Sequence, residues 1–150
     1  MARRSKARSE RGAAAVEFAI VLPLLAAVLF GIMEFSLIMY DKALITSASR
    51  EGARFGSLYK TARPDCTQIR AGAVQTYEQS LFAWAGTPKT IAVNCYRIDT
   101  AGATTTNTCP DTPAGERLAV ETVFAYGSHQ LVNMVTGPVT LRSTTVMNCE

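Results

Sequence analysis

Glu17 is the residue whose position most directly implies chemistry, because it is an ionisable side chain at the start of a long apolar run. No charged residue occurs from Phe18 to Met33, and apolar character resumes from Phe35 to Tyr40. A carboxyl group in such a run costs on the order of 3 kcal/mol at the centre of a bilayer unless it finds a partner. We therefore expect Glu17 to serve a function.

A short basic tail precedes the apolar run. It holds five of the fifteen basic residues of the chain and one of the twelve acidic residues, namely Arg3, Arg4, Lys6, Arg8, Arg11 and Glu10. The positive-inside rule keeps such a tail in the cytoplasm, and the run that follows is near the ~20 residues that a membrane helix requires. Without the tail the net charge falls to −1 from +3. A permanent basic surface for nucleic acid is therefore not predicted.

The alternative of an ordinary cleaved secretory signal needs small residues after the apolar run. The Ala13 to Ala15 triplet lies before that run instead. The sequence therefore favours a helix that stays as a membrane anchor.

The junction has the pattern of a known family. The residues from Arg11 to Phe18, then Val21-Leu22-Pro23, Gly31 and Glu34-Phe35, resemble the start of TadE-like proteins, which are minor pilin-like subunits of the tight-adherence, Flp-type branch of type IV pili. The resemblance continues from Ala48 to Gly56, in the segment that closes the long first helix of that family.

The resemblance implies a processing step and a docking role. A prepilin peptidase is expected to cut after Gly12, which leaves Ala13 as the amino terminus and makes Glu17 the fifth residue. Glu17 is then expected to pair with the free amine of a neighbouring subunit. Phe18 follows it where major Flp pilins commonly carry tyrosine, which weakens the interpretation as a major pilin. The resemblance thus implies a minor subunit that helps to initiate or cap the fibre.

The resemblance also implies partners and a location. The expected partners are other pilins and pilin-like subunits, the prepilin peptidase, the inner-membrane assembly platform and membrane lipid. The expected location is a single pass through the inner membrane, with the amino terminus in the cytoplasm and the C-terminal domain in the periplasm. Incorporation into an extracellular pilus is a further expectation.

Other residues of the helix are candidates for more general roles. Pro23 removes a backbone hydrogen bond inside the span, which predicts a kink or a loosened turn. Glu34 follows Glu17 by about 25 Å of helix, so it is expected at the outer interface of the bilayer. Arg50 and Arg54 lie four residues apart on one side, where they are either solvated or in contact with a neighbouring subunit.

Helical periodicity continues beyond the apolar run. Small and apolar residues recur at steps of three and four, which predicts that the first helix extends to about Tyr59. The members of this stripe are Leu37, Leu44, Ala48, Gly52, Phe55 and Tyr59. The spacing of Asp65 and Gln68 then predicts a capping box at the start of a second helix, which Gly86 and Pro88 end. Its expected buried stripe contains Ile69, Ala73, Thr76 or Tyr77, Ser80 or Leu81, and Trp84.

Three later runs have strand composition. They are Thr90 to Asp99, Leu118 to Ala125 and Pro138 to Asn148. The polar stretch from Thr100 to Gly115 is expected to be an exposed loop, and Ser128 to Val135 a short helix that carries His129.

These elements predict an α+β, pilin-like fold. Its long first helix has a membrane half and an amphipathic half, and its second helix packs on a small three-stranded antiparallel sheet. The expected segments are a leader over 1–12, a transmembrane half over 13–40, an extracytoplasmic half over 41–60 and an α+β domain over 61–150.

The four cysteines all follow the predicted membrane span, where disulfides are expected. We favour Cys95 with Cys109 and Cys66 with Cys149, although the sequence leaves all three pairings open. Their wide spacing predicts no metal site. No group of residues suggests catalysis, so neither an enzyme nor a cofactor is expected.

Two other functions remain open from the sequence. One is a membrane-anchored periplasmic binding or envelope-assembly domain with no role as a fibre subunit. The other is a membrane-tethered thiol enzyme, which requires a reactive free cysteine.

Overall fold

One long helix opens the structure. The computed structural model describes residues 3–58, 63–83, 88–109, 115–126, 137 and 139–150, with side chains from Gly12 onward. Helix α1 runs Arg3–Ser57 and contains Pro23. The chain divides into two units, Met1–Ser36 and Leu37–Glu150. The predicted long first helix is confirmed, and it ends at Ser57, slightly before the expected end at about Tyr59. Tyr59 itself lies outside the described residues.

The first unit is an apolar helix whose large side chains are exposed. They include Val16, Phe18, Ile20, Leu24, Leu29, Phe30, Ile32 and Phe35. Within the described residues, α1 is the one helix that is long and apolar enough to cross a membrane. Its exposed apolar surface fits an environment of lipid or of other apolar helices.

In the second unit, α1 buries one face. Ile38, Ile45 and Ala48 lie in the core, whereas the predicted stripe residues Leu37 and Leu44 are half-buried. Ala48 was predicted correctly, but the centre of the buried face lies one residue further along at Ile38 and Ile45. The spacing of small and apolar residues missed this shift because polar side chains of α1 are buried on the same face of the helix.

Two hydroxyl groups join this part of α1 to the sheet. Ser49 donates to the carbonyl of Val120 at 2.8 Å. Thr122 donates to the carbonyl of Ile45 at 2.9 Å. Both side chains are fully buried, so these bonds satisfy hydroxyl groups that have lost contact with water.

The second helical region is built from three short pieces. Helix α2 runs Cys66–Ile69, a π-helical segment follows over Arg70–Val74, and helix α3 runs Gln75–Glu78. The predicted capping box is present, because Asp65 accepts from the Gln68 amide at 2.7 Å and the Gln68 side chain accepts from the Asp65 amide at 2.9 Å.

The buried face of this region matches the predicted stripe in part. Ile69, Ala73 and Leu81 are buried, Tyr77 is half-buried, and Thr76 and Ser80 are exposed. Helix α3 ends at Glu78, so the predicted end of the second helix at Gly86 and Pro88 was wrong. Trp84 and Gly86 themselves lie outside the described residues.

The sheet contains four antiparallel strands in the order β2-β1-β3-β4. They are β1 (Ala92–Ile98), β2 (Thr104–Thr105), β3 (Arg117–Tyr126) and β4 (Val139–Asn148). The three predicted strands correspond to β1, β3 and β4, and the α+β class is confirmed. The predicted strand count was wrong, since β2 is a fourth strand.

Strand β2 arises because a tight turn folds the predicted loop back on β1. Asp99 accepts from the Ala103 amide at 2.8 Å through its side chain, and its own amide donates to the Ala103 carbonyl at 3.0 Å. Gly102 has a φ of 87°, a conformation that glycine adopts without steric cost. Thr104 and Thr105 are exposed, as expected for this stretch. The expected helix with His129 lies outside the described residues, as does Pro138.

The two disulfides join Cys66 to Cys95 and Cys109 to Cys149. The pairing that we favoured from the sequence was therefore wrong. The start of α2 lies against β1, where the Cys66 sulfur is 3.7 Å from the Val93 carbonyl oxygen, so Cys66 reaches Cys95. The chain after β2 carries Cys109 to the end of β4 and Cys149.

Candidate functional site

The predicted cleavage and docking residues lie together on α1. Gly12, Ala13, Glu17 and Phe18 are all exposed. Ala13 and Glu17 are four residues apart, so their side chains lie on the same face of the helix, about one turn from each other. An added Cβ atom at Gly12 would meet no atom within 4 Å. The carboxylate and the proposed new amino terminus are thus both accessible to a neighbouring molecule.

The remaining candidates in the first unit differ in exposure. Helix α1 continues through Pro23, and the kink that we predicted there stays a prediction. Glu34 is 7% exposed, so it is a buried acid at the end of the first unit. Its predicted place at the outer interface of a membrane stays a prediction as well.

Comparison with known protein families gives one match for this region. Residues 12–54 match the family model described as TadE-like protein. The N-terminal segment is TadE-like. The resemblance proposed from the sequence is thereby confirmed over the matched residues, and it indicates a protein associated with the Tad pilus system. Searches of curated proteins and of solved structures gave no match.

Near its C-terminal end, the TadE-like segment packs closely against the sheet and the second helical region. A Cβ atom added at Gly52 would lie 3.3 Å from side-chain atoms of both Val120 and Val74. One added at Gly56, just beyond the match, would lie 2.5 Å from Leu118 Cδ2 and 2.6 Å from Ile69 Cδ1. These glycines therefore allow α1 to approach the domain that it supports.

Arg50 and Arg54 are exposed on the opposite side of this helix. In the part of the chain that the structure describes, neither residue forms an ion pair. Both interpretations from the sequence, solvated charge and contact with a neighbouring subunit, are compatible with this exposure.

Asp41 is a buried acid that the sequence reasoning missed. Its side chain is fully buried in the second unit. One oxygen, Oδ1, accepts from the Phe82 amide at 2.8 Å, while Oδ2 is buried with no hydrogen-bond partner. Burial raises the pKa of Asp41, and the Phe82 hydrogen bond and the charge of Lys89 oppose that rise. The signal in the sequence was the acid beside Tyr40, directly after the apolar run.

The cysteines of the described residues are all in disulfides. A thiol enzyme needs a free thiolate, so this pairing gives that alternative no support. The described residues also hold no group of three or more metal-ligating side chains. His129 lies outside them.

Proposed function

We propose that this protein is a minor pilin-like structural subunit of a tight-adherence pilus, and that it helps to initiate or cap the fibre. A prepilin peptidase removes the leader after Gly12, and Glu17 then docks on the new amino terminus of a neighbouring subunit. The observation that carries the proposal is the exposed carboxylate of Glu17 on an apolar helix, one turn beyond Ala13, inside the segment that matches TadE-like proteins.

The chemistry of the proposed docking step follows from the cost of burying charge. A carboxylate and an ammonium group are each costly in an apolar environment, but side by side they offset most of that cost. Pairing between subunits is therefore favourable only when both groups reach the same depth. Glu17 thus sets the axial position of one helix relative to the next.

The proposed arrangement assigns a place to each part of the chain. The basic tail stays in the cytoplasm, where it presents Gly12 to the peptidase at the membrane face. The apolar part of α1 spans the inner membrane, and the disulfide-bonded domain lies in the periplasm, an oxidising compartment. Its partners are other pilin-like subunits, the peptidase and the assembly platform of the inner membrane.

Replacing Glu17 by glutamine tests the docking role in cells that assemble the pilus. Glutamine keeps the shape of the side chain and removes its charge. Loss of one member of a buried ion pair costs about 3–5 kcal/mol. We therefore expect incorporation of E17Q into fibres to fall by at least about a hundredfold.

Glu51 supplies the matched control, because it is an exposed glutamate on the same helix in the second unit. E51Q should assemble at the wild-type level. Membrane levels and the melting temperature of the domain should be unchanged in both variants. If E17Q enters fibres as well as E51Q does, Glu17 is not the docking residue. If neither the wild-type protein nor E51Q is found in fibres, a membrane-anchored periplasmic domain becomes the better account.

A further inference from the structure

Strand β4 is the last strand of the sheet, so one of its edges has no neighbouring strand among the described residues. Its other edge pairs with β3 along all ten residues from Val139 to Asn148. Proline, a bulge or a short length often protects such an edge, but β4 is long and contains neither proline nor glycine. An edge of this kind is a template to which another strand can add.

The hydrogen bonds to β3 identify the backbone groups that face the open edge of β4. The Cys149 amide donates to the Glu116 carbonyl at 2.9 Å, and these two residues continue the register of the β3-β4 pair. Hydrogen-bonded positions alternate along an antiparallel pair, so Thr145 and Met147 also bond to β3. The residues that alternate with them point their amides and carbonyls away from β3. This outward row consists of Thr144, Val146 and Asn148.

Contacts with α1 lie at both ends of the outward row and leave the row itself open. At one end, the Lys42 ammonium group donates to the Arg142 carbonyl. At the other end, the Glu150 amide donates to the Ser57 carbonyl at 3.0 Å. Between these two contacts, the described part of the chain supplies no hydrogen-bond partner to the backbone of the outward row. The open stretch is therefore long enough for a short strand.

Two basic residues of α1 flank this stretch. Lys42 lies at its beginning, beside the Arg142 carbonyl. Arg50 directly follows Ser49, whose hydroxyl lies 2.9 Å from that of Thr145, so Arg50 is level with the middle of β4. Arg50 is exposed, and within the described residues neither Lys42 nor Arg50 forms an ion pair. Both cations are therefore available to a partner.

A third basic residue, Arg142, lies on the opposite face of the strand. Its side chain is 66% exposed, and it forms a long ion pair of 3.5 Å with Glu121. Exposed ion pairs are weak, and Glu121 also accepts a hydrogen bond from Asn94 at 3.0 Å. Three cations and one acid thus surround the outward row. Acidic side chains are the complementary feature of a partner here.

We propose that the outward row of β4 binds an extended acidic segment of a partner protein. The segment adds to the sheet as a further strand through backbone hydrogen bonds at Thr144 and Val146, and its acidic side chains lie beside Arg50 and Arg142. Strand addition takes affinity from the main chain and specificity from flanking side chains. A second copy of this chain is disfavoured as the occupant, because pairing of two outward rows brings like charges together. The inference is independent of the docking role of Glu17.

The test is amide hydrogen exchange, measured by NMR on the full-length protein in micelles of a zwitterionic detergent. The probe is the peptide acetyl-Thr-Glu-Val-Glu-Val-Thr-amide. Without the peptide, the amides of Thr144 and Val146 should exchange rapidly, whereas those of Thr145 and Met147, which bond to β3, should be protected. The peptide should protect Thr144 and Val146 in a saturable way. Methylation of its backbone nitrogens should abolish this protection.

A charge series tests the acidic preference separately. The variant R50Q should weaken binding of the glutamate peptide about two- to fivefold, the scale of an exposed ion pair, and leave binding of the matching glutamine peptide unchanged. Thr144 and Val146 amides that stay unprotected at high peptide concentration would overturn strand addition, as would protection by the methylated peptide. A lysine peptide that binds as tightly as the glutamate peptide would overturn the acidic partner. Protection that rises with protein concentration alone would show that a second copy fills the edge, and would also overturn the proposal.

Discussion

Replacing Gly56 by alanine should destabilise the second unit, although alanine is the better helix former. Alanine gains about 1 kcal/mol over glycine inside a helix. At Gly56 the added methyl group would lie 2.5 Å from Leu118 and 2.6 Å from Ile69, and both of these side chains are fully buried. Overpacking of a core costs about 1–3 kcal/mol, and two contacts this short place Gly56 at the upper end of that range. The net loss is therefore about 2 kcal/mol, which lowers the melting temperature by roughly 8 °C for a domain of this size.

Two matched variants make this experiment decisive. G52A brings its methyl group no closer than 3.3 Å to a neighbour, so the packing cost and the helix gain should nearly cancel. G31A meets nothing within 4 Å and lies in the first unit, so it should leave the domain unchanged. Circular dichroism melts of the full chain in detergent measure all three. A G56A protein as stable as G52A would refute the packing role that we assign to these glycines.

Further predictions concern the buried acid and the disulfides. Because the pKa of Asp41 is raised above its unfolded value of 3.8, the domain loses stability as pH rises through the folded pKa. D41N should therefore raise the free energy of unfolding at pH 7. Denaturant titrations at several pH values should also show that this free energy falls less steeply above about pH 4 in D41N than in the wild-type protein. An equal pH dependence in both proteins would contradict this. Replacing both Cys66 and Cys95 by alanine should lower the free energy of unfolding by about 3.6 kcal/mol, because the unfolded chain gains entropy when the cross-linked loop is released. Replacing both Cys109 and Cys149 by alanine should lower it by about 3.9 kcal/mol for the same reason. Alkylation of unfolded, non-reduced protein should label none of the four cysteines, and any labelling would contradict the finding that all four are in disulfides.

Local signals in the sequence predicted much of the fold. The capping box at Asp65 and Gln68 depends on two residues three apart, and it appeared as predicted. The strands β1, β3 and β4 followed from runs of β-branched and aromatic residues. The long apolar helix followed from composition alone. Each of these features depends on residues that lie close together in the sequence.

Features that depend on distant residues were harder to predict. The disulfide pairing depends on where α2 and the chain after β2 meet the sheet, which the spacing of cysteines does not contain. The burial of Asp41 depends on the Phe82 amide, forty-one residues away. Strand β2 is too short to stand out from a polar loop, since only Thr104 and Thr105 pair.

The candidate functional residues also include some that the local sequence predicts and some that it does not. Its N-terminal residues were named from a local pattern, and the family match covers them. The buried carboxyl group of Asp41 could not be named, because its burial results from the packing of the second unit and its hydrogen bond to the Phe82 amide.

The amino terminus of the mature protein tests the central claim most directly. Intact-mass and N-terminal peptide spectra should be recorded from cells that contain an active prepilin peptidase and from cells that lack it. Our account predicts a chain that begins at Ala13 in the first case and an uncut leader in the second. A leader that remains attached in both, while pili form normally, would contradict it.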